Sequence, residues 1–241
     1  MRNIRSIVVL TGAGISAESG ITTFRAADGL WCNHRIEDVA TPEGFARNPA
    51  LVQQFYNQRR AQLPTVVPNA AHHALARLAA EFDGDFMLVT QNVDDLHERA
   101  QAAQRSKGNF SFIHMHGELK KVRCLETGTI YDWADDITGE SQCGCCHEVG
   151  ALRPHIVWFG EMPLAMHEIS HALQDCDMFV SVGTSGNVYP AAGFVTEAKH
   201  AGAYTLELNF EPSNTRSLFD EARHGKATEL VPAFVNELLL K

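Results

Sequence analysis

Short, nearly continuous apolar runs alternate along this chain with segments whose apolar residues recur at helical spacing. Four runs are clearest: Ile7 to Leu10, Phe86 to Val89, Met178 to Val182 and Tyr204 to Leu208. Such runs, lacking polar alternation, are expected of strands covered on both faces. Phe110 to Ile113 and Glu229 to Val231 predict two weaker strands. Asn48-Pro49 supplies an N-cap with proline at the first helical position and opens a helix to about Leu63. Pro68-Asn69 opens another, with Ala71, Leu75, Leu78 and Phe82 on one face. Helices are also expected at 163–175, 188–201, 213–223 and 231–240, and the polar stretch 100–112 reads as a mobile surface loop. Strands alternating with helices predict βαβ units and a parallel sheet, hence an α/β fold. Two excursions, 12–85 and roughly 118–155, do not fit a simple doubly wound sheet and are expected to form a smaller module on its crevice side.

The residues after each strong run are small or polar: Thr11-Gly12-Ala13-Gly14-Ile15-Ser16, Thr90-Gln91-Asn92-Val93-Asp94, Gly183-Thr184-Ser185, and Asn209-Phe210-Glu211. Open α/β sheets bind ligands beyond the carboxyl ends of their strands. Four such ends converging on one crevice point to a nucleotide-type ligand.

Composition narrows this reading. Of 241 residues, 45% are hydrophobic and 20% charged, which excludes disordered, collagenous and fibrous classes. Lys and Arg number 20 against 29 Asp and Glu, a net charge of -9. That field repels phosphate backbones and anionic lipid, so no nucleic acid and no membrane is expected as a partner. No apolar stretch approaches the ~20 residues of a membrane span. Met1 to Leu10 lacks a signal-peptide cleavage pattern. A soluble, cytoplasmic protein is the expectation. Among the cysteines, Cys124, Cys143, Cys145 and Cys146 cluster, which in a cytosolic chain points to metal before disulfide. Cys32 and Cys176 read as ordinary thiols.

Gly12, Gly14 and Gly20 follow the first strand. Glycines there let the backbone approach a pyrophosphate, although a Gly-x-Gly also serves as a plain tight turn. The spacing Gly-x-Gly-x5-Gly departs from the dehydrogenase pattern, and no second strand promptly brings an acidic residue for a ribose. Phe24 and Arg25 extend the loop with an aromatic ring and a cation, which suits an enzyme that cuts or strains its cofactor.

Gly12-Ala13-Gly14-Ile15-Ser16, Gly20-Ile21-Thr22-Thr23-Phe24-Arg25, Thr90-Gln91-Asn92-Val93-Asp94, His116-Gly117, Phe159-Gly160-Glu161 and Gly183-Thr184-Ser185 resemble, in order and across essentially the whole chain, the sirtuins, in particular bacterial class III sirtuins of the CobB type. The resemblance implies an NAD-dependent protein-lysine deacylase. It implies a Rossmann-like part at approximately 1–30, 69–117 and 156–241. A smaller module would comprise a helical segment at 31–68 and a zinc ribbon at 118–155, with the active site between the two parts.

By that resemblance His116 is the catalytic base, a role suited to an imidazole neutral near pH 7. The acyl-lysine amide oxygen would attack C1′ of the nicotinamide ribose. His116 would then take a ribose hydroxyl proton, so that lysine, nicotinamide and 2′-O-acyl-ADP-ribose result. Asp94 and the backbone near Val93 would hold the nicotinamide carboxamide, and Asn92 the ribose and its water. Ser16 and Ile21 would line that pocket, Phe24 would shield the reactive carbon and Arg25 would contact the cofactor. Thr184, Ser185, Asn209, Glu211 and Ala227 match the adenosine side. An Asx turn closing a strand is the plain alternative for Asn92 and Asp94. His114, two residues before His116, reads as structural.

Val157-Trp158-Phe159-Gly160-Glu161 resembles the family's segment that pairs with substrate backbone as an added strand, a mode that reads little sequence. The partners implied are acylated lysine side chains of other proteins. Tyr56 and Arg59 lie three apart on a predicted helix and share a face. A solvated helix face is one reading; the class III Tyr-x-x-Arg pair at the base of the acyl pocket is the other, with Ala27 matching a small residue that widens it. A guanidinium and a phenol suit the carboxylate of a succinyl or malonyl group, and deacetylation is expected to be retained. The family's zinc site closes with two Cys-x2-Cys pairs. Here Cys124, Cys143 and Cys146 stay in register, Thr127 stands where a partner cysteine is expected, and Cys145 or His147 are the available substitutes. One structural zinc is therefore expected, with its ligand set incomplete. An NAD-consuming ADP-ribosyltransferase and a non-catalytic zinc-ribbon binding module are the alternatives.

Overall fold

The computed structural model describes residues 4–23, 30–102 and 106–240. Among these the strands are β1 (Ser6–Thr11), β2 (Leu30–Trp31), β3 (His34–Arg35), β4 (Asp85–Thr90), β5 (Asn109–His114), β6 (Gly117–Cys124), β7 (Ile130–Asp132), β8 (Leu152–Ile156), β9 (Met178–Val182), β10 (Tyr204–Asn209) and β11 (Glu221–His224). The helices are α1 (Ile36–Val39), α2 (Pro42–Arg47), α3 (Pro49–Gln62), α4 (Ala70–Glu81), α5 (Leu96–Gln101), α6 (Met166–Asp175), α7 (Phe194–His200) and α8 (Ala227–Leu239).

One sheet, in the order β11-β10-β9-β1-β4-β5, is parallel throughout and forms a Rossmann-like layer. The apolar runs of β1, β4, β9 and β10 are buried because helices cover both faces. On one face α4 and α8 pack Leu75, Leu78, Val231 and Phe234 against Ile7, Val9 and Val180. On the other, α6 and α7 pack Leu173, Phe194 and Val195 against Val8, Leu10 and Phe179. The chain leaves β1 for β4 on one side, and β9 later returns to the other. The order therefore reverses between β1 and β9, which is where such sheets hold ligands.

The two excursions form smaller assemblies. α1 to α3 gather around Val39, Val52, Phe55 and Tyr56, and this cluster includes Leu119, Ile156 and Trp158 from the second excursion and its edge. The antiparallel sheet β7-β6-β8 carries Cys124 at the end of β6. Buried Arg60 of α3 donates to Leu119 O at 2.7 Å, and Asn57 bonds both the N–H and the carbonyl of Ile137, so helix and ribbon are tied together.

Some expected elements differ. Glu229 to Val231 lies inside α8, because a three-residue apolar run reads alike in strand and helix and only its longer context decides. Residues 213–223 form no helix: a single 3-10 turn at Arg216–Leu218 precedes strand β11. Glu-Ala-Arg-His looks unlike a strand because β11 is a sheet edge, where charged side chains are favoured. Residues 188–201 are helical by α-type bonding only from Phe194. Within 100–112, α5 extends to Gln101 and β5 begins at Asn109.

β1 and β9 are locked together past their ends. Gly12 N–H donates to Val182 O at 2.9 Å and Gly14 N–H to Gly183 O at 2.8 Å. A Cβ on Gly14 would lie 2.7 Å from Gly183 Cα, and Gly183 itself adopts a φ of 62°. Gly14→Ala is therefore expected to force the two loops apart and cost about 1–3 kcal/mol; thermal or denaturant unfolding of the variant checks this, and an unchanged midpoint would contradict it.

Candidate active site

The carboxyl ends of β1, β4, β9 and β10 open into a cleft of about 840 Å³ whose far wall is built from the smaller assemblies. Its sheet side presents Gly12, Ala13, Gly14, Ser16 and Ile21 after β1, and Gln91, Asn92, Val93 and Asp94 after β4. Gly183, Thr184 and Ser185 follow β9, and Asn209, Phe210 and Glu211 follow β10. Ala227 reaches the cleft from the start of α8. Ile15 does not line it: the side chain is fully buried in the core, because the turn that brings Gly14 and Ser16 to the cleft points it inward. Phe24, Arg25 and Ala27 lie outside the described residues.

A buried polar network shapes the cleft's inner end. Ser16 Oγ donates to Asp94 Oδ2 at 3.1 Å and accepts from Asn92 Nδ2 at 3.1 Å. His72 Nε2 lies 3.4 Å from the same hydroxyl. Its Nδ1 accepts from Asn69 N–H in the capping box of α4, which leaves the ring proton on Nε2, facing Ser16. Burial, helped by His73, pushes His72 down to about 3, so the ring is neutral. Burial raises Asp94 to about 6, although the Leu96 N–H and the Ser16 hydroxyl oppose the rise. His97, also neutral through burial, contacts the Thr11 hydroxyl at 3.1 Å, and Thr11 donates to Thr90. Sequence reasoning missed His72 and His97; the only local signal was the third-position histidine of the α4 cap.

His116 stands between the two walls. Its Nδ1 meets Gln91 O at 3.2 Å. A carbonyl only accepts, so Nδ1 carries the proton and Nε2 is left as the base. Burial lowers the pKa of His116, with the Gln91 carbonyl opposing, so the ring is neutral at pH 7. The next residue must be glycine: Gly117 has a φ of 82°, and a Cβ there would lie 2.1 Å from His155 O.

Val157, Phe159 and Gly160 line the cleft's second wall, together with Arg59 and the fully buried Tyr56. Val157 N–H donates to His116 O and Phe159 N–H to Ala40 O, each at 2.9 Å. Trp158 N–H donates to Glu161 Oε2 at 2.8 Å. Glu161 pairs with Arg153 through both oxygens, at 2.7 and 3.0 Å. Burial alone would raise Glu161, but the Arg153 and Trp158 bonds outweigh it and hold the carboxyl low. The Arg153 guanidinium also lies 3.4 Å from the centre of the Trp158 ring, and Trp158 Nε1 donates to the Tyr56 hydroxyl at 3.0 Å. Tyr56 is fully buried and stays protonated, since burial pushes its pKa up. Arg59 stacks 3.2 Å from the Phe55 ring centre and 5.2 Å from that of Trp31. Arg153, Trp31 and Lys226 were not singled out in the sequence, although the last two line the cleft.

The sulfurs of Cys124, Cys143, Cys145 and Cys146 all lie within 4.8 Å of one another. Cys124 and Cys146 sulfurs are 3.6 Å apart, and those of Cys143 and Cys145 3.3 Å. Zn–S bonds of ~2.3 Å in a tetrahedron place sulfurs roughly 3.8 Å apart, so the set fits zinc with Cys145 as fourth ligand. Thr127, where a cysteine was expected, donates its N–H to Cys124 sulfur at 3.4 Å and sets its hydroxyl 3.2 Å from Cys145 sulfur. His147 is not in the cluster.

Fold and cleft together describe a nucleotide-type crevice of an open α/β sheet with a neutral histidine between its walls. The Sir2 family model matches residues 12–190. An NAD-dependent protein deacylase of Pasteurella multocida (strain Pm70) is 63% identical over 97% of this chain and 97% of its own. The NAD-dependent protein deacylase of Escherichia coli (strain K12) is 60% identical over 97% of this chain and 82% of its own. A solved Sir2 homologue in complex with NAD superposes with a TM-score of 0.85 at 36% identity, covering 98% of this chain and 91% of that one. A Sir2 bound to a p53 peptide and NAD+ gives 0.80 at 26% identity, covering 99% and 95%. The chain belongs to the Sir2 family.

Protein purified without chelator should carry about one zinc per chain, and Cys145→Ser should lose most of it. Elemental analysis of both proteins is the check; a variant retaining full zinc would show that Cys145 is not a ligand.

Proposed function

We propose that this chain is an NAD-dependent protein-lysine deacylase that takes acyl groups from lysines of other proteins and releases nicotinamide and 2′-O-acyl-ADP-ribose. The observation that carries the reading is His116, neutral, with its Nδ1 proton engaged by Gln91 O and its Nε2 left as a base, at the junction of the sheet-side cleft and the rim held by Arg153 and Glu161. NAD, as co-substrate, supplies the electrophilic ribose carbon. His116 Nε2 takes the ribose hydroxyl proton. Asp94 and Val93 hold the nicotinamide carboxamide, and Asn92, braced by Ser16, orients the ribose. Thr184, Ser185, Asn209, Phe210, Glu211 and Ala227 serve the adenosine half, beside the Gly12–Gly14 turn. In this reading the carboxyl ends of the large sheet and the start of α8 bind NAD, and the helical and cysteine-bearing parts close over the acyl-lysine. Zinc on the four cysteines is structural, far from proton transfer, and reducing cytoplasm would keep its thiols available.

Val157, Phe159 and Gly160 form the docking rim for substrate backbone. The N–H groups of Val157 and Phe159 are already engaged within the chain, so substrate backbone would pair with other backbone groups of this segment. Tyr56 and Arg59 make the acyl pocket acid-tolerant. Trp158 occupies the phenol oxygen as donor, which leaves the Tyr56 O–H to donate to a carboxylate. Arg59, held on aromatic faces, can exchange its contact with Phe55 O for the same carboxylate. Succinyl and malonyl chains reach this pair, and acetyl does not.

Two outcomes follow, both measured with NAD and matched acetyl- and succinyl-lysine peptides. His116→Ala should lose about 10²–10⁴-fold in turnover while keeping its fold; wild-type turnover in a folded variant would defeat the reading, and modified protein in place of free lysine would indicate ADP-ribosyl transfer. Arg59→Met should cut desuccinylation kcat/KM by roughly 10–100-fold and deacetylation little. Equal loss of both activities would make Arg59 a structural residue.

A further inference from the structure

His114, at the end of β5, bridges two acceptors. Its Nδ1 lies 3.0 Å from the main-chain carbonyl of Asn92, and its Nε2 lies 2.7 Å from Glu98 Oε1 on α5. The side chain is only 8% exposed, and the Phe112 ring packs on it with centroids 4.7 Å apart. A carbonyl and a carboxylate both accept, so bonding both requires a proton on each ring nitrogen. The surroundings favour that imidazolium. A carboxylate oxygen of Glu98 and one of Glu118 lie within 4.8 Å of a ring nitrogen of His114, and the second oxygen of Glu98 is buried without a hydrogen-bond partner among the described residues. Although burial acts to lower the His114 pKa, its bonds to Glu98 and Asn92 and the charge of Glu118 raise it above the ordinary value. The other titratable neighbours are Asp94 on the same turn and His97 on α5, with Lys121 of β6 bonded to Glu118 at 2.9 Å.

Asn92 is held on its other sides by the Thr90 hydroxyl at its N–H and by Ser16 at its side-chain amide. Its carbonyl has His114. The preceding carbonyl, Gln91 O, holds His116. Two neighbouring carbonyls of one turn thus anchor two histidines two residues apart.

We propose that His114, protonated and paired with Glu98, is a positioning residue for NAD: it pins the Asn92 carbonyl and sets the turn that presents Asn92 and Asp94 to the cofactor. This rests on the reading of Asn92 as a cofactor contact. As pH rises and the ring loses one proton, the remaining one stays toward the carboxylate, the stronger acceptor. The Nδ1 lone pair then faces Asn92 O, and the pin becomes a repulsion. The pin is present at low pH and lost as pH rises through the raised His114 pKa.

Glu98→Gln separates this from a structural role. The side-chain amide introduced by that substitution donates to His114 Nε2, so a neutral ring keeps its proton on Nδ1 and the pin no longer depends on pH. The experiment is steady-state kinetics at saturating acetyl-lysine peptide, with the KM for NAD and kcat measured separately from about pH 6 to about pH 9. Wild type should show a KM for NAD that rises about tenfold toward high pH, with kcat changing less. In Glu98→Gln that rise should disappear, and in His114→Ala the KM should be high at every pH. Asn92→Ala is the reference and should raise the KM for NAD or abolish turnover. Superimposable wild-type and Glu98→Gln profiles, with Asn92→Ala impaired, would overturn the positioning role alone. An unimpaired Asn92→Ala would overturn the assignment of Asn92 and the proposal with it.

Discussion

The rest of the molecule depends on the approach of two backbones beyond the ends of β1 and β9. Gly14 N–H donates to Gly183 O, and there is no room for a side chain between the two turns. The strand order reverses at this point, so the contact closes the floor of the cleft where four strand ends converge. A larger residue at either turn would separate β1 from β9 and spread Ser16, Thr184 and Asn92 away from their common wall. Glycine is needed here for space and, at Gly183, for its positive φ.

Above that floor the two walls are built by different physics. The sheet wall is a buried hydrogen-bonded network around the Asp94 carboxyl in which His72 and His97 are kept uncharged by desolvation. Neutral rings can satisfy Ser16 and Thr11 without bringing charge into the core. The opposite wall uses a charge pair. Glu161 bonds Arg153 through both oxygens, Arg153 lies over the Trp158 ring, and Trp158 donates to the Tyr56 hydroxyl. Removing either partner would leave a charge beside an apolar cluster, which is the costly way to break such a pair. His116 belongs to both walls: Gln91 O holds its ring and Val157 N–H holds its carbonyl.

The cysteine cluster departs from the expected pair of Cys-x2-Cys motifs yet keeps four sulfurs within 4.8 Å of one another. Thr127 contacts the sulfurs of Cys124 and Cys145 through its N–H and hydroxyl, and Cys145 is the fourth cysteine of the cluster. Asn57 and Arg60 then join the ribbon to α3, which carries Tyr56 and Arg59. These bonds tie the sheet that carries Cys124 to the helix that carries Tyr56 and Arg59.

The hydrophobic pattern by itself determined β1, β4, β9 and β10, because strands buried on both faces leave no polar alternation to confuse them. It also determined α3 and α4, whose asparagine caps are local chemistry. Motif order was enough to single out His116, the glycine turns and the Asn92–Asp94 turn. Edge strand β11 escaped because an edge is paired on one side only and tolerates Glu-Ala-Arg-His. The run Glu229 to Val231 was ambiguous because its helix is decided by burial of Val231, Phe234 and Val235 against the sheet. Only the tertiary structure decided which nitrogen of His116 carries the proton, that Ile15 faces the core, that Cys145 joins the sulfur cluster, and that His72, Arg153 and His114 have partners at all. Those partners come from separate elements, and tautomer, charge state and ligand geometry are set by the acceptors that folding brings within reach.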